Sequence, residues 1–561
     1  MKKLYQRIIF FLALSLLMPF PAVAQTIPVG MPVLESAYRR AQLLGEISPD
    51  VSFTVRPLFP EKTFKVRNGF DPDSTLAHYR KTKFNGMVIL GKNYGKFQLL
   101  PIIWQNQFNS LHPAGYNDGA MVPAKGYQTI VSAGVYFRYG PLSIQVEPEM
   151  LYVENKPFET FEDIYHKHSP PGGIDLPERF GNTPFTRFSW GQSSVRLTVG
   201  PVSFGLSNEN LWWGPGIHNA LIMTNNAPGF GHLTLNTVRP IKTAVGAFEF
   251  QLIGGRLDGS GYTPGLPDDW RYLNAVVISY HPKWVSGLFL GMTRAYQIYH
   301  KDMGHGLNDY LPVISPFQKD KWGNAQTDKK RRDELLSLFM RWLWVKGHGE
   351  IYFEFGREDH AWNLRDFFLE PAHSAAYIVG MNKLFALKGR KGEFIQVNVE
   401  ITNLASTSTT INRDRFYASK PGEVVVGYWY HHSQVRHGYT EDGQVLGAGI
   451  GPGSNSQWMK IAWVKGLKTF GLEFERYVHD NDYFVSKIRD IRRNWVDLKF
   501  GLVADWEFNH FLLNVQAQYI HEINYEWRYR PAPVINARPT FWNPTKDTYN
   551  FHAKLGLVYR F

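Results

Sequence analysis

The sequence predicts an all-β fold, a transmembrane antiparallel β-barrel of about 18 strands (16–18), preceded by a small helical segment. Three observations predict it. The chain stops on "YNFHAKLGLVYRF", where Tyr549, Phe551, Ala553, Leu555, Leu557, Tyr559 and Phe561 alternate with Asn550, His552, Lys554, Gly556 and Arg560, and Val558 is the one break. A membrane-crossing strand needs such a pattern over roughly 9–11 residues. The same period of two recurs in "EFIQVNVEIT", "FLLNVQAQY" and "VDLKFGL", and "EIYFEF", "GLEFER", "AFEFQL" and "LSIQVE" put Glu350, Glu354, Glu473, Glu475, Glu249 and Glu147 on the polar face. No stretch beyond residue 24 offers about 18 uninterrupted apolar residues, so a helical span is excluded.

Taken in order, residues 1–24 read as a secretory signal peptide. Lys2, Lys3 and Arg7 precede an apolar run from Ile8 to Met18, and Ala22-Val23-Ala24 forms the cleavage site, so the mature chain begins at Gln25. Residues 25–80 form the N-terminal segment. Within it "MPVLESAYRRAQLLGEI" spaces Leu34, Tyr38, Ala41, Leu44 and Ile47 as a helix does, and the expected place for it is the periplasm, against the barrel's inner mouth. Residues 81–561 form the barrel with long extracellular loops, and no TonB-type plug domain fits in front of them.

With Phe561 on the periplasmic side, His521 to Asp547 is an external loop, Asn509-His510 an inner turn, "VHDNDYFVSKIRDIRRN" external, Lys465-Gly466-Leu467-Lys468 an inner turn, and "HHSQVRHGYTEDGQVLGAGIGPGSNS" external. The count then fails. "LKGRKGE", Leu387 to Glu393, has the composition of an inner turn but falls outside by parity, which leaves the topology of 387–422 open.

Composition narrows the partners. A net charge of +12 in an exported chain points to anionic lipid headgroups, lipopolysaccharide among them, or an acidic polysaccharide, and away from nucleic acid. Without cysteine there is neither a lipidation site nor a disulfide framework. Aromatics make up 15% of the residues, enough to furnish two membrane girdles and sugar-stacking loops.

The densest segment is "NENLWWGPGIHNALIMTNNAPGFGHLTLN", Asn208 to Asn236. Trp212 and Trp213 stand beside a constrained Gly-Pro-Gly turn, and Asn225-Asn226, Asn236, His218 and His232 lie close by. Rings stack on sugar faces and amides bind hydroxyls, so a glycan surface is one reading; packing inside the barrel or at a girdle is the other.

"WWGPGIHNALIMTNNAPGF" resembles the Wzi-type capsule-assembly family of outer-membrane proteins, and "HGYTEDGQVLGAGIGPGSNSQ" resembles that family's later glycine-rich loop. "YRRAQLLG" and "SFTVRPL" are similar to its bacteroidete-type members. The resemblance implies an 18-stranded barrel with a periplasmic helical portion and no open channel, and lectin-like attachment of capsular polysaccharide at the cell surface. It assigns no glycan contacts. The expected ones come from the external loops: Trp527, Arg528, Tyr529 and Arg530 in the last, Arg436, His437 and Tyr439 in the glycine-rich one, with Trp212 and Trp213 beside them.

An enzyme is not expected. "GAGIGPG" lacks a strand-then-helix setting, "GQSSV" lacks the second glycine of a nucleophile elbow, and no H-E-x-x-H occurs. Asp480 and Asp482 in "HDNDY" suit a polar loop tip better than a Ca²⁺ site, so no metal or cofactor is expected. The alternative of a different class is a passive porin, since a wet lumen with many carboxylates fits that too.

Overall fold

The structure, a computed structural model, describes residues 25–66, 68–72, 86–91, 94–160, 174, 177–262, 266–267, 269–315, 331–358, 363–411, 429–530 and 545–561. The expected signal peptide lies outside them.

One antiparallel sheet of 24 strand segments dominates the described residues. Four pairs of segments are single runs broken by a kink, and two segments are short outliers, Met87–Leu90 and Ile241–Lys242, which leaves 18 barrel strands. They are β1 (Gly95–Leu99 and Ile102–Ala114), β2 (Ala124–Ser132 and Val135–Tyr139), β3 (Leu142–Val146 and Glu149–Val153), β4 (Phe185–Ser189 and Ser194–Val199), β5 (Val202–Ser207) and β6 (His232–Thr237). Next come β7 (Gly246–Leu257), β8 (Arg271–Pro282), β9 (Leu288–Tyr299), β10 (Asp333–Trp344), β11 (Gly349–Glu358) and β12 (Ala375–Ala386). The last are β13 (Phe394–Asn403), β14 (Asn455–Lys465), β15 (Lys468–Val478), β16 (Val496–Phe508), β17 (Phe511–Ile523) and β18 (Thr548–Tyr559). Each pairs with its neighbours in sequence, and β18 closes the ring on β1, with Leu557 opposite Trp104 and Lys554 opposite Gln107. Closure pairs each of the 18 strands on both sides, as a wall in lipid requires.

The alternation sorts the faces. Tyr549, Phe551 and Leu555 point outward and are exposed, while Asn550 and His552 point inward and are buried. Outward rings gather in two bands: Tyr127, Tyr152, Tyr377, Tyr519 and Tyr549 near one end, Tyr139, Trp344, Phe385, Phe470, Phe508 and Phe511 near the other. These are the aromatic girdles of a membrane barrel.

Short turns collect at the second end. Lys465 pairs with Lys468 around Gly466, whose φ is 59°, and Phe508 pairs with Phe511 around Asn509, whose φ is 51°. Residues 387–393 belong to the same end, joining β12 to β13. The parity conflict dissolves because no barrel strand lies among the described residues of 404–454; Trp429 and Tyr430 there are fully buried in the lumen.

The N-terminal segment enters the barrel. Its helix α1 (Leu34–Leu43) is buried nearly all round, with Leu34, Ala37, Tyr38, Ala41 and Leu43 at 0% exposure. Instead of standing at the mouth, this segment seals the short-turn end from within. Ile27 to Phe70 share one apolar cluster with the inward residues Leu100, Ile103, Leu512 and Val558 of the wall. The polar positions of α1 tolerate this burial because the wall meets them. Arg39 Nε donates to Glu350 at 2.7 Å, Gln42 Oε1 accepts from Arg341 at 2.8 Å, and His348 in a short turn reaches the carbonyl of Leu43 at 3.0 Å.

Candidate functional site

Two long loops fold down into the barrel from the other end. The 208–231 loop contributes Leu211, Trp213, Leu221, Ile222, Met223 and Phe230 to a core completed by Trp429, Tyr430, Tyr439 and Ile450 of the 404–454 loop and by inward wall residues such as Leu273, Val277 and Leu335. Wall carboxylates anchor them. Glu400 accepts the backbone N–H groups of Ile217 (2.8 Å), His218 (3.0 Å) and Asn219 (2.6 Å), and Glu249 accepts that of Ser52 (2.7 Å) in the N-terminal segment. The carboxylates read as water-facing in the sequence therefore hold protein.

The filling leaves room on the side of β14–β18 and β1. At the long-loop end, a cleft lies between 113–123, 449–454, 479–495 and 522–527, edged by the rings of Tyr116, Tyr477, His479, Trp495, Tyr525 and Trp527. Trp495 immediately precedes β16 and stacks face to face on His479, with ring centres 3.6 Å apart and planes 6° from parallel. Asp497 fixes both rings, accepting from Trp495 Nε1 at 3.0 Å and bonding His479 Nε2 at 2.8 Å. Past β17, Asn524, Glu526 and Trp527 adopt φ of 52°, 50° and 54°. Two of these are bulky residues in the left-handed region, a strain of about 1–3 kcal/mol each of the kind found at ligand sites. The effect is to turn the Trp527 ring edge-on to Trp495 at 5.1 Å, beside Tyr525, which stacks on His112 at 3.5 Å.

Among the described residues, four carboxylates, Asp480, Asp497, Glu522 and Glu526, share the lining with one lysine, Lys499, whose charge meets Glu475 at 3.0 Å. The floor is Tyr116. Its hydroxyl donates to Glu475 at 2.5 Å and lies 2.5 Å from His218 Nε2. Tyr116 also borders a second space deeper in the lumen, lined by amides such as Gln105, Asn514 and Gln516 and by Lys460.

A family model described as capsule assembly protein Wzi matches residues 110–522. The chain belongs to the Wzi family. Among solved structures, the Wzi of Escherichia coli, described as an outer-membrane, carbohydrate-binding β-barrel involved in group 1 capsule assembly, is similar at 11% identity and a TM-score of 0.58, covering 96% of this chain and 100% of that one. OccK7 (OpdD) of Pseudomonas aeruginosa (8% identity, TM-score 0.35, 82% of this chain and 98% of that one) and a BenF-like porin of Pseudomonas fluorescens Pf-5 (8%, 0.37, 83% and 99%) are more distant. Among curated proteins none matches.

In this Wzi-family barrel the residues singled out from sequence fall into three places. Trp527 lines the cleft. Arg528 and Arg530 follow it but both pair with Glu159, and Tyr529 lies under the guanidinium of Arg492 at 4.8 Å. The glycine-rich loop reaches the cleft with residues 449–454, but its start, which holds the residues singled out, sits apart, across the lumen against β8 and β9. There His437 Nδ1 contacts Tyr299 Oη at 2.7 Å, Arg271 donates to the carbonyl of Gly438 at 2.6 Å, and Tyr439 is fully buried. Burial, and then the neighbouring Arg271 and Arg436, depress the His437 imidazole to about 3, so it is neutral and cannot serve as a cationic contact.

Trp212 and Trp213 are packing residues of the plug. They pair with Arg56 and Val55 in a two-residue ladder, Trp213 Nε1 donates to Gln251 at 3.0 Å, and the Arg56 guanidinium covers Trp212 at 4.7 Å. Sequence reasoning missed Trp495, Tyr525, Tyr477 and His479. Each stands at or just past a strand end on the long-loop side, which was the available signal.

One group at the cleft makes stability depend on pH. Burial, reinforced by Asp482, pushes the Asp480 carboxyl up to about 8 from an ordinary 3.8. Asp480 caps the short helical turn that follows by accepting from Tyr483 N at 2.9 Å. Since its folded value lies above its unfolded one, its contribution is fully present below about 3.8 and is lost as pH rises through about 8. Amide exchange in 479–495, corrected for its intrinsic pH dependence, is expected to quicken as pH rises from about 4 and to level off above about 8, and Asp480→Asn should flatten that response. A wild-type profile as flat as the variant's would refute it.

Proposed function

We propose that this protein is an outer-membrane, lectin-like barrel that attaches and organises capsular polysaccharide at the cell surface, and that the aromatic cleft is where the polymer is held. The observation that carries the reading is the convergence of Trp495, Tyr525, Trp527 and His479 beside Asp497, Glu522 and Glu526 at the long-loop end. Rings give sugar faces a stacking surface, and carboxylates accept from hydroxyls. Membership in the Wzi family and the description of its Escherichia coli member support the same reading.

The polarity follows. Cleavage after Ala24 leaves Gln25 at the start of the inner seal, so the short-turn end with Phe561 faces the periplasm and the cleft faces outward. The "YRRAQLLG" and "SFTVRPL" motifs support a place among the bacteroidete-type members. Asp497, Glu522 and Glu526 line the cleft beside the rings, so sugar hydroxyls are the groups this lining is suited to take. The protein's overall +12 then serves lipopolysaccharide and other anionic lipid, or acidic units of the polymer outside the cleft. Arg528, Tyr529, Arg530 and Arg436 are the outer contacts in this reading. A repeating polymer engages many copies of the barrel, so weak contacts sum to firm retention.

The test pairs two measurements. A deletion strain should make as much polysaccharide while releasing more of it to the medium. In the full-length barrel, Trp495→Ala with Trp527→Ala should weaken binding of an oligosaccharide from that polymer by about 10- to 100-fold, because the two rings, buried against each other and Tyr483, shape the cleft wall. Neutralising Arg528 and Arg530 should cost less, since Glu159 already occupies both. Undiminished binding by the double tryptophan variant, with the barrel folded, would remove the cleft from the account; an unchanged partition would remove polysaccharide attachment itself.

A further inference from the structure

On one side of the barrel the outer wall breaks its own rule. Inward residues of β8–β11 are settled by the lumen contacts of Ala275, Ala295, Leu335 and Tyr352, so Val276, Arg294, Leu336 and Arg357 point outward. The register places these four at one height across four adjacent strands. Two of them are arginines on a face that should meet lipid, yet Arg294 is only 1% exposed and Arg357 7%. An arginine turned toward hydrocarbon is costly unless protein covers it.

Two loops cover these. Residues 300–315, after β9, fold back over the outside of the wall. Arg294 Nη1 donates to the carbonyls of Val313 (3.0 Å) and Ser315 (2.5 Å), and its Nε to the outward Glu334 at 2.6 Å. Val313 N donates to the outward Asn274 at 3.3 Å, and Tyr272 Oη to the carbonyl of Tyr310 at 2.8 Å. In the next loop, which follows β11, the helix Leu364–Leu369 lays Phe367 against Arg357, with the guanidinium 5.3 Å from the ring centre.

Having used their polar atoms on the wall, both segments turn apolar side chains away from it. Leu307 is 69% exposed, Ile314 66%, Phe368 73% and Leu369 63%. Directly beneath them, on the same strands, Leu290, Leu338 and Phe353 form the lipid-facing wall. The apolar surface of the loops is thus continuous with a surface already in lipid. Irregular backbone is not tolerated within the hydrocarbon itself, which sets the depth at the headgroup boundary.

We propose that residues 300–315 and 363–374 form an apolar collar seated in the outer leaflet at headgroup depth, anchoring this side of the barrel to lipid through loops. The cleft lies across the barrel, on the side of β15–β18, so the collar leaves it clear.

The chain has no cysteine, so single labels are simple to place. Leu307→Cys and Phe368→Cys, each carrying a nitroxide in the full-length barrel reconstituted in lipopolysaccharide-containing vesicles, would be compared with Leu338→Cys on the wall and Gln434→Cys in an exposed loop. Collisions with oxygen, which partitions into lipid, should exceed those with a water-soluble nickel chelate at 307 and 368, as they do at 338. Ile314→Cys and Leu369→Cys report on the same two segments if either first variant fails to fold. Chelate accessibility like that of position 434 would overturn the proposal. So would labels shielded from both reagents until the protein is diluted into excess lipid, which would assign the collar to a second copy of the chain.

Discussion

Replacing Glu400 with alanine is expected to release the 208–231 loop from the wall and raise amide exchange across 214–224 by about 100- to 1,000-fold. Four donors end on this one carboxylate: the N–H groups of Ile217, His218 and Asn219, and the phenol of Tyr352 at 2.7 Å. Glu400 and Asn219 are buried at 1% exposure or less, so water does not readily replace the lost acceptor. Leaving buried donors unsatisfied costs about 1–3 kcal/mol each, and allowing for local rearrangement the loop should lose about 3–4 kcal/mol. The wall should survive, because its ladders do not run through Glu400's side chain. Protection of 214–224 equal to that of the parent would mean that the apolar core alone holds the loop.

Glu350→Gln attacks the other closure. Arg39 of α1 and Arg341 of β10 both end on Glu350, at 2.7 and 2.5 Å, and all three side chains are nearly or wholly buried. Removing the shared anion leaves two guanidiniums facing each other, a loss of about 3–5 kcal/mol for a broken buried pair. The N-terminal segment should then be cut by added protease between 25 and 66 while the wall stays intact. Either variant alone is expected to pass no current in a planar bilayer, because the lumen is closed twice. The combination of Glu350→Gln with Glu400→Ala should conduct. Steady current through the parent protein would contradict the double closure and bring back the passive-porin account.

The wall was legible because a strand in lipid obeys one strict rule. Tyr549, Phe551 and Leu555 face outward as the period of two requires, and closure on about 18 strands follows from chain length. Even the break in the final strand carried information: Val558 points inward, is fully buried, and packs on the N-terminal segment, as Leu512 does from β17. An apolar residue on the polar face marks where something apolar fills the lumen. The site was less legible because loops obey no period. Nothing in "WWGPG" distinguishes a ring presented to a polymer from one facing the inside of the wall, and the deciding contacts, Arg56 and Gln251, come from remote segments. Trp527 was found from its loop, but its partner Trp495 lies 32 residues away and meets it only through the β16–β17 pairing.

The inward face of β8–β10 bears on how such a molecule is made. Leu273, Ala275, Val277, Ala295 and Leu335 have no water-compatible state inside a closed ring; they are buried only because the 208–231 and 404–454 loops lie on them. A hollow ring would present grease to trapped water, so an empty intermediate is a high-energy species. The seam that completes the ring joins residues 102–109 to 552–559, the two most distant strands in the chain, and contacts of such separation form late. Filling and closing are therefore coupled energetically: the ring is favourable as a closed wall only together with the loops that cover its apolar inner face.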